Sequence, residues 1–180
     1  RGSKTFMIGQ ITQFITQIFK SAGKQRAVIG VSGGIDSAVS LTLSTKALGA
    51  ESIIPVLLPY GDQDLSDSEV MLEFNKIPRE NWQIINIKPV VDAAAQTAGV
   101  EESDKVRLGN LMARTRMMMI YDLAKKNNAL VCGTENKSEK HLGYFTRFGD
   151  EASDLEPIAH LYKTQVRELA KELGLPEQVI

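Results

Sequence analysis

Apolar residues recur along this chain in two alternating patterns. Between residues 5 and 20 they fall three or four positions apart, which predicts an amphipathic helix. Its apolar face would comprise Phe6, Ile8, Ile11, Phe14, Ile15, Ile18 and Phe19. Four apolar runs of strand length lie further along the chain, at residues 27–31, 52–58, 82–87 and 129–132. Strands that are apolar on both faces are typical of a parallel sheet covered by helices on both sides.

Helical patterns separate these runs. They lie at residues 37–48, 66–74, 89–98 and 106–125, and a last one covers residues 163–173. The alternation of strand and helix predicts an α/β fold with a doubly wound parallel sheet, a three-layer sandwich of the Rossmann-like kind. We expect a single domain over residues 1–180. Ligands of such sheets bind at the carboxyl ends of the strands, beside the topological switch point.

One long stretch breaks the pattern. Residues 133–157 show no apolar period, and an irregular segment of this length in a compact domain is usually functional. Among the methionines of the fourth helix, Met117, Met118 and Met119 are predicted to fill the core. Arg114 and Arg116 fall on different sides of that helix, where an arginine is more often a surface group than a ligand.

Composition excludes several classes of protein. The chain has 180 residues and a net charge of -1, so nothing in its overall charge predicts nucleic-acid binding. No apolar run reaches the length of a membrane span. Cys132 is the single cysteine, predicted to be buried in the core, and indicates a reducing, cytoplasmic setting. His141 and His160 are too isolated for a zinc site and are predicted to lie in a loop and at the surface. Residues 1–3 resemble an expression-vector remnant or a frayed start.

The sequence GVSGGIDSAV, at residues 30–39, carries the clearest chemistry. It follows a buried strand and opens a helix, so Gly33 and Gly34 would let backbone N–H groups converge on an anion. A P-loop has a lysine where this chain has Asp36. A carboxylate cannot neutralise phosphate, but it can hold Mg²⁺, which does. The alternative is a tight turn with an ordinary aspartate at a helix N-terminus.

The segment SGGIDS resembles the signature of the PP-loop ATP pyrophosphatases. Within that group, four further segments are similar to the ammonia-dependent NAD synthetases, in the family's order. They are LLPYGDQ at residues 57–63, GNLMARTRM at 109–117, GTENKSE at 133–139, and the stretch from Gly143 to Leu169. The resemblance implies an adenine nucleotide alpha-hydrolase-like fold. It also implies amidation of deamido-NAD with ammonia, through an acyl-adenylate that forms as ATP loses pyrophosphate.

Site residues follow from the same resemblance. Asp36, Ser32 and Lys163 would be catalytic, and Asp36 and Glu139 would hold Mg²⁺. The ATP-binding set would comprise Gly30, Val31, Ser32, Gly33, Gly34, Ile35, Asp36, Ser37, Thr134 and Lys163. Without the resemblance, Glu139 would be interpreted as a solvated loop glutamate and Lys163 as a surface lysine.

The resemblance also implies a homodimer with the substrate site at its interface, next to the helix of residues 106–125. Deamido-NAD would contact Asn110, Arg114, Tyr121, Tyr144, Arg147, Asp150 and Asp154. The chain departs from the family at two of these places. Arg147 stands where the family usually has lysine, and Glu151 replaces the second glycine of a GDG pattern. If that glycine served a positive φ, Glu151 would strain the turn and bring a charge near the substrate.

Two alternatives stay open. Another PP-loop adenylating ligase, of the GMP-forming or tRNA-modifying kind, would share the loop, although a tRNA-acting member should show a basic surface or catalytic cysteines. A nucleotide-binding module without turnover is the second alternative. It gains weight because the family's later phosphate-contacting loop and its C-terminal His-Lys pair would lie beyond Ile180, so we expect the C-terminal part of the family domain to be absent.

Overall fold

A parallel sheet forms the centre of the molecule. The computed structural model describes the backbone of residues 2–180 and the side chains from Phe6 onward, so Arg1 lies outside it. The strands are β1 (Ala27–Gly30), β2 (Ile53–Leu57), β3 (Gln83–Ile84) and β4 (Leu130–Cys132), in the order β3-β2-β1-β4. All three pairings are parallel, and Ala27 is in register with Ile53 on one side and Leu130 on the other. The predicted sheet is confirmed.

Helices cover both faces of this sheet. In the described part of the chain they are α1 (Gly2–Ser21), α2 (Ile35–Leu48), α3 (Ser66–Phe74), α4 (Lys88–Ala98), α5 (Lys105–Lys126), α6 (Lys137–Leu142) and α7 (Lys163–Leu173). Ala27 and Ile29 of β1 pack with the layer of α1, α2 and α7, whereas Val28 between them packs with α4 and α5. The three-layer sandwich is therefore confirmed. No helix among residues 2–180 is long and apolar enough to span a membrane.

The observed bounds differ from the prediction where an element meets the edge of the sheet or the functional loop. β3 is shorter than the predicted run because it is an edge strand, where Ile84 is 52% exposed. Backbone pairing nevertheless continues beyond it, since the N–H groups of Ile85 and Ile87 donate to the carbonyls of Leu57 and Pro59. α2 begins two residues earlier than predicted, which brings Asp36 into its first turn.

Two predictions about the core are wrong in part. Ile11, Ile15 and Phe19 of α1 are buried, but Phe6 and Phe14 are 65% and 42% exposed. The apolar face of α1 is wider than the strip of this helix that the neighbouring layer covers. In α5, Met118 is 53% exposed, whereas the methionines on either side of it pack into the core. Three consecutive residues of a helix point in three directions, so they cannot all reach one core.

The segment predicted to be irregular contains α6. Asn136 caps this helix: its side chain accepts a hydrogen bond from the Glu139 N–H, while the Glu139 side chain accepts one from the Asn136 N–H. This reciprocal pair is a capping box, which stabilises short helices. His141 consequently lies in the last turn of a helix and not in a loop, although it is exposed as predicted.

The strand order places the topological switch point between β1 and β4. The chain runs outward from β1 through β2 to β3 and then returns to the far side of β1 to form β4. The loops that follow β1 and β4 therefore diverge from neighbouring strands at the same edge of the sheet. Crevices of this kind are where open α/β sheets bind ligands.

Candidate functional site

The loop after β1 is ordered by its own hydroxyl groups. Gly33 has a φ of +81°, a conformation that disfavours any side chain. Ser37 accepts a hydrogen bond from the Ser32 N–H at 3.2 Å and donates to the Gly34 carbonyl at 2.9 Å. The Ser32 hydroxyl accepts from the Gly34 N–H at 3.3 Å. The glycines and serines thus fix a compact loop at the N-terminus of α2, where helix N–H groups favour an anion.

Asp36 is the centre of a network that joins three helices. Its Oδ1 accepts a hydrogen bond from the amide of Asn136 at 3.0 Å, and its Oδ2 forms an ion pair with Lys163. Asp36 lies in the first turn of α2, Asn136 caps α6, and Lys163 is the first residue of α7. The N-terminal ends of three helices therefore meet at one partly buried carboxylate, which is 16% exposed. Three helix dipoles at this point favour negative charge.

A cavity of about 410 Å³ opens beside this network. Its walls come from the two loops, the end of β2 and the inner side of α5. Predicted site residues that line it are Gly30, Val31, Ser32, Gly34, Asp36, Ser37, Thr134, Glu139 and Asp150. Gly33 lies in the same loop, and Lys163 reaches it through Asp36. Ile35 instead points its side chain into the core, where it is 8% exposed, so only its backbone faces the loop.

Glu139 lies beside Asp36 and fits a cation site. Burial raises the pKa of the Glu139 carboxyl, the Asn136 N–H opposes that shift, and the negative charges of Asp36 and Asp150 raise the pKa further. No group of three or more metal-binding side chains occurs within the described residues. Mg²⁺ commonly takes only one or two carboxylates from the protein and fills its remaining positions with water and phosphate oxygens. The carboxylate oxygens of Asp36 and Glu139 match this mode of Mg²⁺ coordination.

The residues predicted to bind deamido-NAD fall beside the cavity, on α5 and the segment of residues 143–154. Asn110 accepts a hydrogen bond from the Thr146 hydroxyl at 2.9 Å, and Arg114 donates to the Arg147 carbonyl at 3.1 Å. These two contacts fasten the segment to α5. Asp150 is the one member of the predicted set that lines the cavity.

Three other members of that set have different surroundings. Tyr144 is 80% exposed. Asp154 accepts a hydrogen bond from the Val131 N–H at 2.8 Å and so holds its segment against β4. Tyr121 is partly buried, and burial is the main cause of its raised pKa, ahead of the nearby charges of Asp154 and Glu156. The structure therefore brings part of the predicted set to an exposed surface and gives Asp154 a backbone partner.

Glu151 does not strain its turn. The described non-glycine residues with positive φ are Lys76, Asn128 and Phe148, so the condition under which Glu151 would strain the turn is not met. Its carboxylate accepts a hydrogen bond from the Phe148 N–H at 3.2 Å, which helps to hold the turn. Glu151 brings negative charge to the cavity, because it raises the pKa of the cavity-lining Glu135. A charge near the substrate stays a prediction.

Sequence reasoning missed three residues of the site. The sequence predicts a surface position for Arg116, but this residue is half-buried, lines the cavity and donates to the Leu58 carbonyl at 3.0 Å. Asn136 and Glu135 were not singled out. The spacing of Asn136 and Glu139 is that of a capping box and could have been noticed. Nothing in the local sequence separates Glu135 or Arg116 from ordinary surface charges.

Comparison with known proteins gives the family. A family model described as NAD synthase matches residues 7–180. The chain belongs to the NAD synthase family. It is 43% identical to an NH(3)-dependent NAD(+) synthetase of Thermococcus kodakarensis. The similarity extends over 174 residues, which are 96% of this chain and 67% of the relative. Those of Pyrococcus horikoshii and Chlorobium phaeobacteroides are 41% and 42% identical, covering 95% and 98% of this chain but only 65% and 60% of the relatives.

Solved structures of this family superpose closely. The NH3-dependent NAD synthetase of Campylobacter jejuni gives a TM-score of 0.92 at 36% identity, over 99% of this chain and 76% of the other. An NMN synthetase from Francisella tularensis gives 0.89 at 33% identity, over 98% and 73%. This chain therefore shares its fold with two proteins of different names, one an NAD synthetase and the other an NMN synthetase.

Proposed function

We propose that this chain is an ammonia-dependent ligase that converts deamido-NAD to NAD. ATP adenylates the nicotinate carboxylate and loses pyrophosphate, and ammonia then displaces AMP from the acyl-adenylate. Support comes from membership of the NAD synthase family and from the names of the relatives. The meeting of three helix N-termini at the Asp36 and Lys163 ion pair, on the wall of a cavity, carries the proposal.

The loop after β1 would hold the departing pyrophosphate. Gly33 and Gly34 let the backbone approach the phosphates, Ser32 and Ser37 offer hydroxyls, and Lys163 supplies positive charge. Such catalysis is mostly positioning and electrostatic stabilisation. Cys132 would take no part, because burial raises the pKa of its thiol to about 12 and leaves it protonated at neutral pH.

Mg²⁺ would be held by the carboxylates of Asp36 and Glu139. When bound, it would neutralise charge on the phosphate oxygens of ATP. Lys163 would then exchange part of its contact with Asp36 for a contact with phosphate. Arg116, a half-buried cation on the same cavity wall, adds a further donor for an anionic part of ATP.

Deamido-NAD would bind across the outer side of α5, between two copies of the chain. Asn110 and Arg114 occupy that side, and Arg147 and Asp150 belong to the segment fastened to it. A homodimer would complete this surface with residues of the partner. Tyr144, which is exposed in one copy of the chain, would then be buried against the partner.

The Francisella neighbour favours a second candidate substrate. Its name specifies NMN synthetase, and its fold matches this chain nearly as well as that of the Campylobacter enzyme. The same chemistry on the mononucleotide would use the same cavity for ATP. It would differ only in the absence of the adenosine monophosphate half of the substrate.

The test is pyrophosphate release from ATP and Mg²⁺, measured with deamido-NAD or nicotinate mononucleotide, in the presence and absence of ammonium. We expect release that requires deamido-NAD, together with formation of NAD. Asp36→Asn should lower the rate about 100-fold or more, since it removes the carboxylate at the centre of the network. Asp92→Asn is the matched control, because Asp92 also pairs with a lysine, Lys88, but is exposed on α4.

Each alternative has its own signature. Turnover with the mononucleotide alone would make the chain an NMN synthetase. ATP binding without pyrophosphate release would make it a nucleotide-binding module, and release that ignores both nicotinate substrates would point to another PP-loop ligase. An Asp36→Asn variant as active as Asp92→Asn would contradict the role given to Asp36.

A further inference from the structure

Glu135 is a buried carboxylate on the wall of the cavity. It follows β4 in the loop that also contains Thr134, it is 7% exposed, and it lines the same cavity as Asp36. Its Oε1 is fully buried and has no hydrogen-bond partner among the described residues. A buried carboxylate without a partner is costly, so its presence calls for a ligand that the protein itself does not supply.

The surroundings of Glu135 are strongly negative. Burial is the main reason that its pKa is raised to about 7; the charges of Asp150, Glu139 and Glu151 contribute to this rise, and Lys140 opposes it. Glu156 lies against the same loop, where its Oε2 accepts a hydrogen bond from the Glu135 N–H at 3.1 Å. Charged side chains of α6 and of residues 150–151 therefore act on the Glu135 carboxylate. This end of the cavity favours a small cation.

The chemistry of that cation can be narrowed. The proposed Mg²⁺ is already accounted for by the carboxylates of Asp36 and Glu139, so the cation left among the proposed reactants is ammonium. An ammonium ion needs only hydrogen-bond acceptors and negative charge. It is also the form in which ammonia occurs in water near neutral pH.

We propose that Glu135 forms an ammonium subsite and accepts a proton from the bound ion. This inference rests on the proposed function, since it concerns the third substrate of that reaction. The cavity joins Glu135 to the loop at which adenylation would occur, so the cation would be held beside the activated carbonyl. Asp150 lies on the same wall and Glu151 adds negative charge, which makes the departure from the family's glycine part of the subsite.

The step balances as follows in atoms and charge. One N–H bond of ammonium breaks, and its proton joins a carboxylate oxygen of Glu135, leaving neutral ammonia and a neutral carboxylic acid. The nitrogen lone pair attacks the acyl carbon, and the bond from that carbon to the AMP oxygen breaks, with AMP taking the electron pair. The new amide nitrogen then releases one further proton to solvent. A group that titrates near neutral pH suits such proton transfer.

The experiment compares two nucleophiles in Glu135→Gln and in the unaltered chain. Hydroxylamine is largely uncharged near neutral pH and needs no proton acceptor before it attacks, whereas ammonium does. We expect kcat/KM for ammonium to fall about 100-fold, in line with loss of a general base, and kcat/KM for hydroxylamine to change less than about threefold. The ammonium defect should shrink at alkaline pH, where free ammonia becomes abundant. The KM values for ATP and deamido-NAD should stay unchanged.

Controls separate this inference from the proposed function and from misfolding. Glu80→Gln, at an exposed position in the short turn Arg79–Asn81, should match the unaltered chain with both nucleophiles. Thermal unfolding of Glu135→Gln should occur at the same temperature or higher, because a buried charge is removed. Equal loss with both nucleophiles, or a defect that persists at alkaline pH, would overturn the subsite. An unaltered chain that uses neither nucleophile would overturn the proposed function, and the subsite with it.

Discussion

Glu156 is held above the backbone of the loop after β4. Its Oε1 accepts a hydrogen bond from the Ser153 hydroxyl at 2.8 Å, and its Oε2 accepts one from the Glu135 N–H. Burial is the main cause of a pKa raised from 4.5 to about 7, and the negative charge of Glu135 adds to it. The folded protein therefore binds a proton at Glu156 more tightly than the unfolded chain does.

We predict that Glu156→Gln changes how stability depends on pH. A raised carboxyl pKa favours folding while the group is protonated, and this contribution is lost as pH rises from about 4.5 through 7. Glutamine stays neutral throughout. The stability of Glu156→Gln relative to the unaltered chain should therefore increase by roughly 1–2 kcal/mol between pH 5 and pH 8, since one pKa unit corresponds to about 1.4 kcal/mol. Urea unfolding at both pH values measures it.

The measurement compares the effect of Glu156→Gln on stability at two pH values. A hydrogen bond that the glutamine fails to make weakens the variant equally at both pH values, so it does not affect the comparison. Glu80→Gln should leave the pH dependence as it is, because that carboxylate is exposed. A constant difference between Glu156→Gln and the unaltered chain would show that Glu156 is ionised in the folded protein across this range.

At the scale of elements, the turn from β4 into the site depends on the missing side chain of Gly133. A Cβ at this position would lie 1.8 Å from Glu156 Oε1 and 2.2 Å from its Cδ. The Glu156 carboxyl would have to move and lose its two hydrogen bonds. We predict that Gly133→Ala destabilises the protein by about 1–3 kcal/mol, measured as the free energy of unfolding.

Two variants test this explanation. In a Glu156→Ala background the cost of Gly133→Ala should largely disappear, because the two residues interact directly. Gly109→Ala, within α5, meets nothing within 4 Å and should stabilise the protein by about 0.5–1 kcal/mol through helix propensity. If Gly133→Ala destabilises the protein equally with and without Glu156, the loss of stability comes from the backbone conformation of Gly133 and not from a clash with the Glu156 carboxyl.

Elements made from local patterns could be predicted from the sequence. The buried strands and the helices α3 and α7 follow from apolar spacing, because each buries residues against the sheet. α6 was missed because it has no buried residue, and only its capping box indicates it. The partners of Asp36 could not be predicted: Asn136 and Lys163 lie 100 and 127 positions away along the chain. Only the topology of the sheet brings three helix N-termini to one point.

At the scale of the whole molecule, one side of α5 carries two exposed apolar side chains. Residues four positions apart along this helix are Val106, Asn110, Arg114 and Met118, and Val106 and Met118 are 74% and 53% exposed. Such spacing puts neighbours in this series along one strip of a helix. The strip joins exposed apolar side chains to two residues proposed to bind deamido-NAD. This arrangement suits a homodimer interface that also forms the substrate site.

We predict that Met118→Glu converts a dimer to a monomer, because it places a charge in an apolar contact. Sedimentation velocity at matched protein concentrations measures the change. Phe74→Glu is the control, since Phe74 is an exposed apolar residue, 38% exposed, at the end of α3. It should leave the dimer intact. A monomeric unaltered chain, or dissociation by both variants alike, would contradict an interface at α5.

Separate binding measurements then distinguish the roles of the two surfaces. The cavity proposed to bind ATP is built within one copy of the chain, from the ends of β1 and β4 with Asp36 and Lys163. A monomeric Met118→Glu variant should therefore retain its affinity for ATP in calorimetry. Its affinity for deamido-NAD should fall about tenfold or more, which corresponds to at least about 1.4 kcal/mol, because half of the proposed surface belongs to the partner. Parallel loss of both affinities would mean that dimerisation supports the fold of the cavity itself.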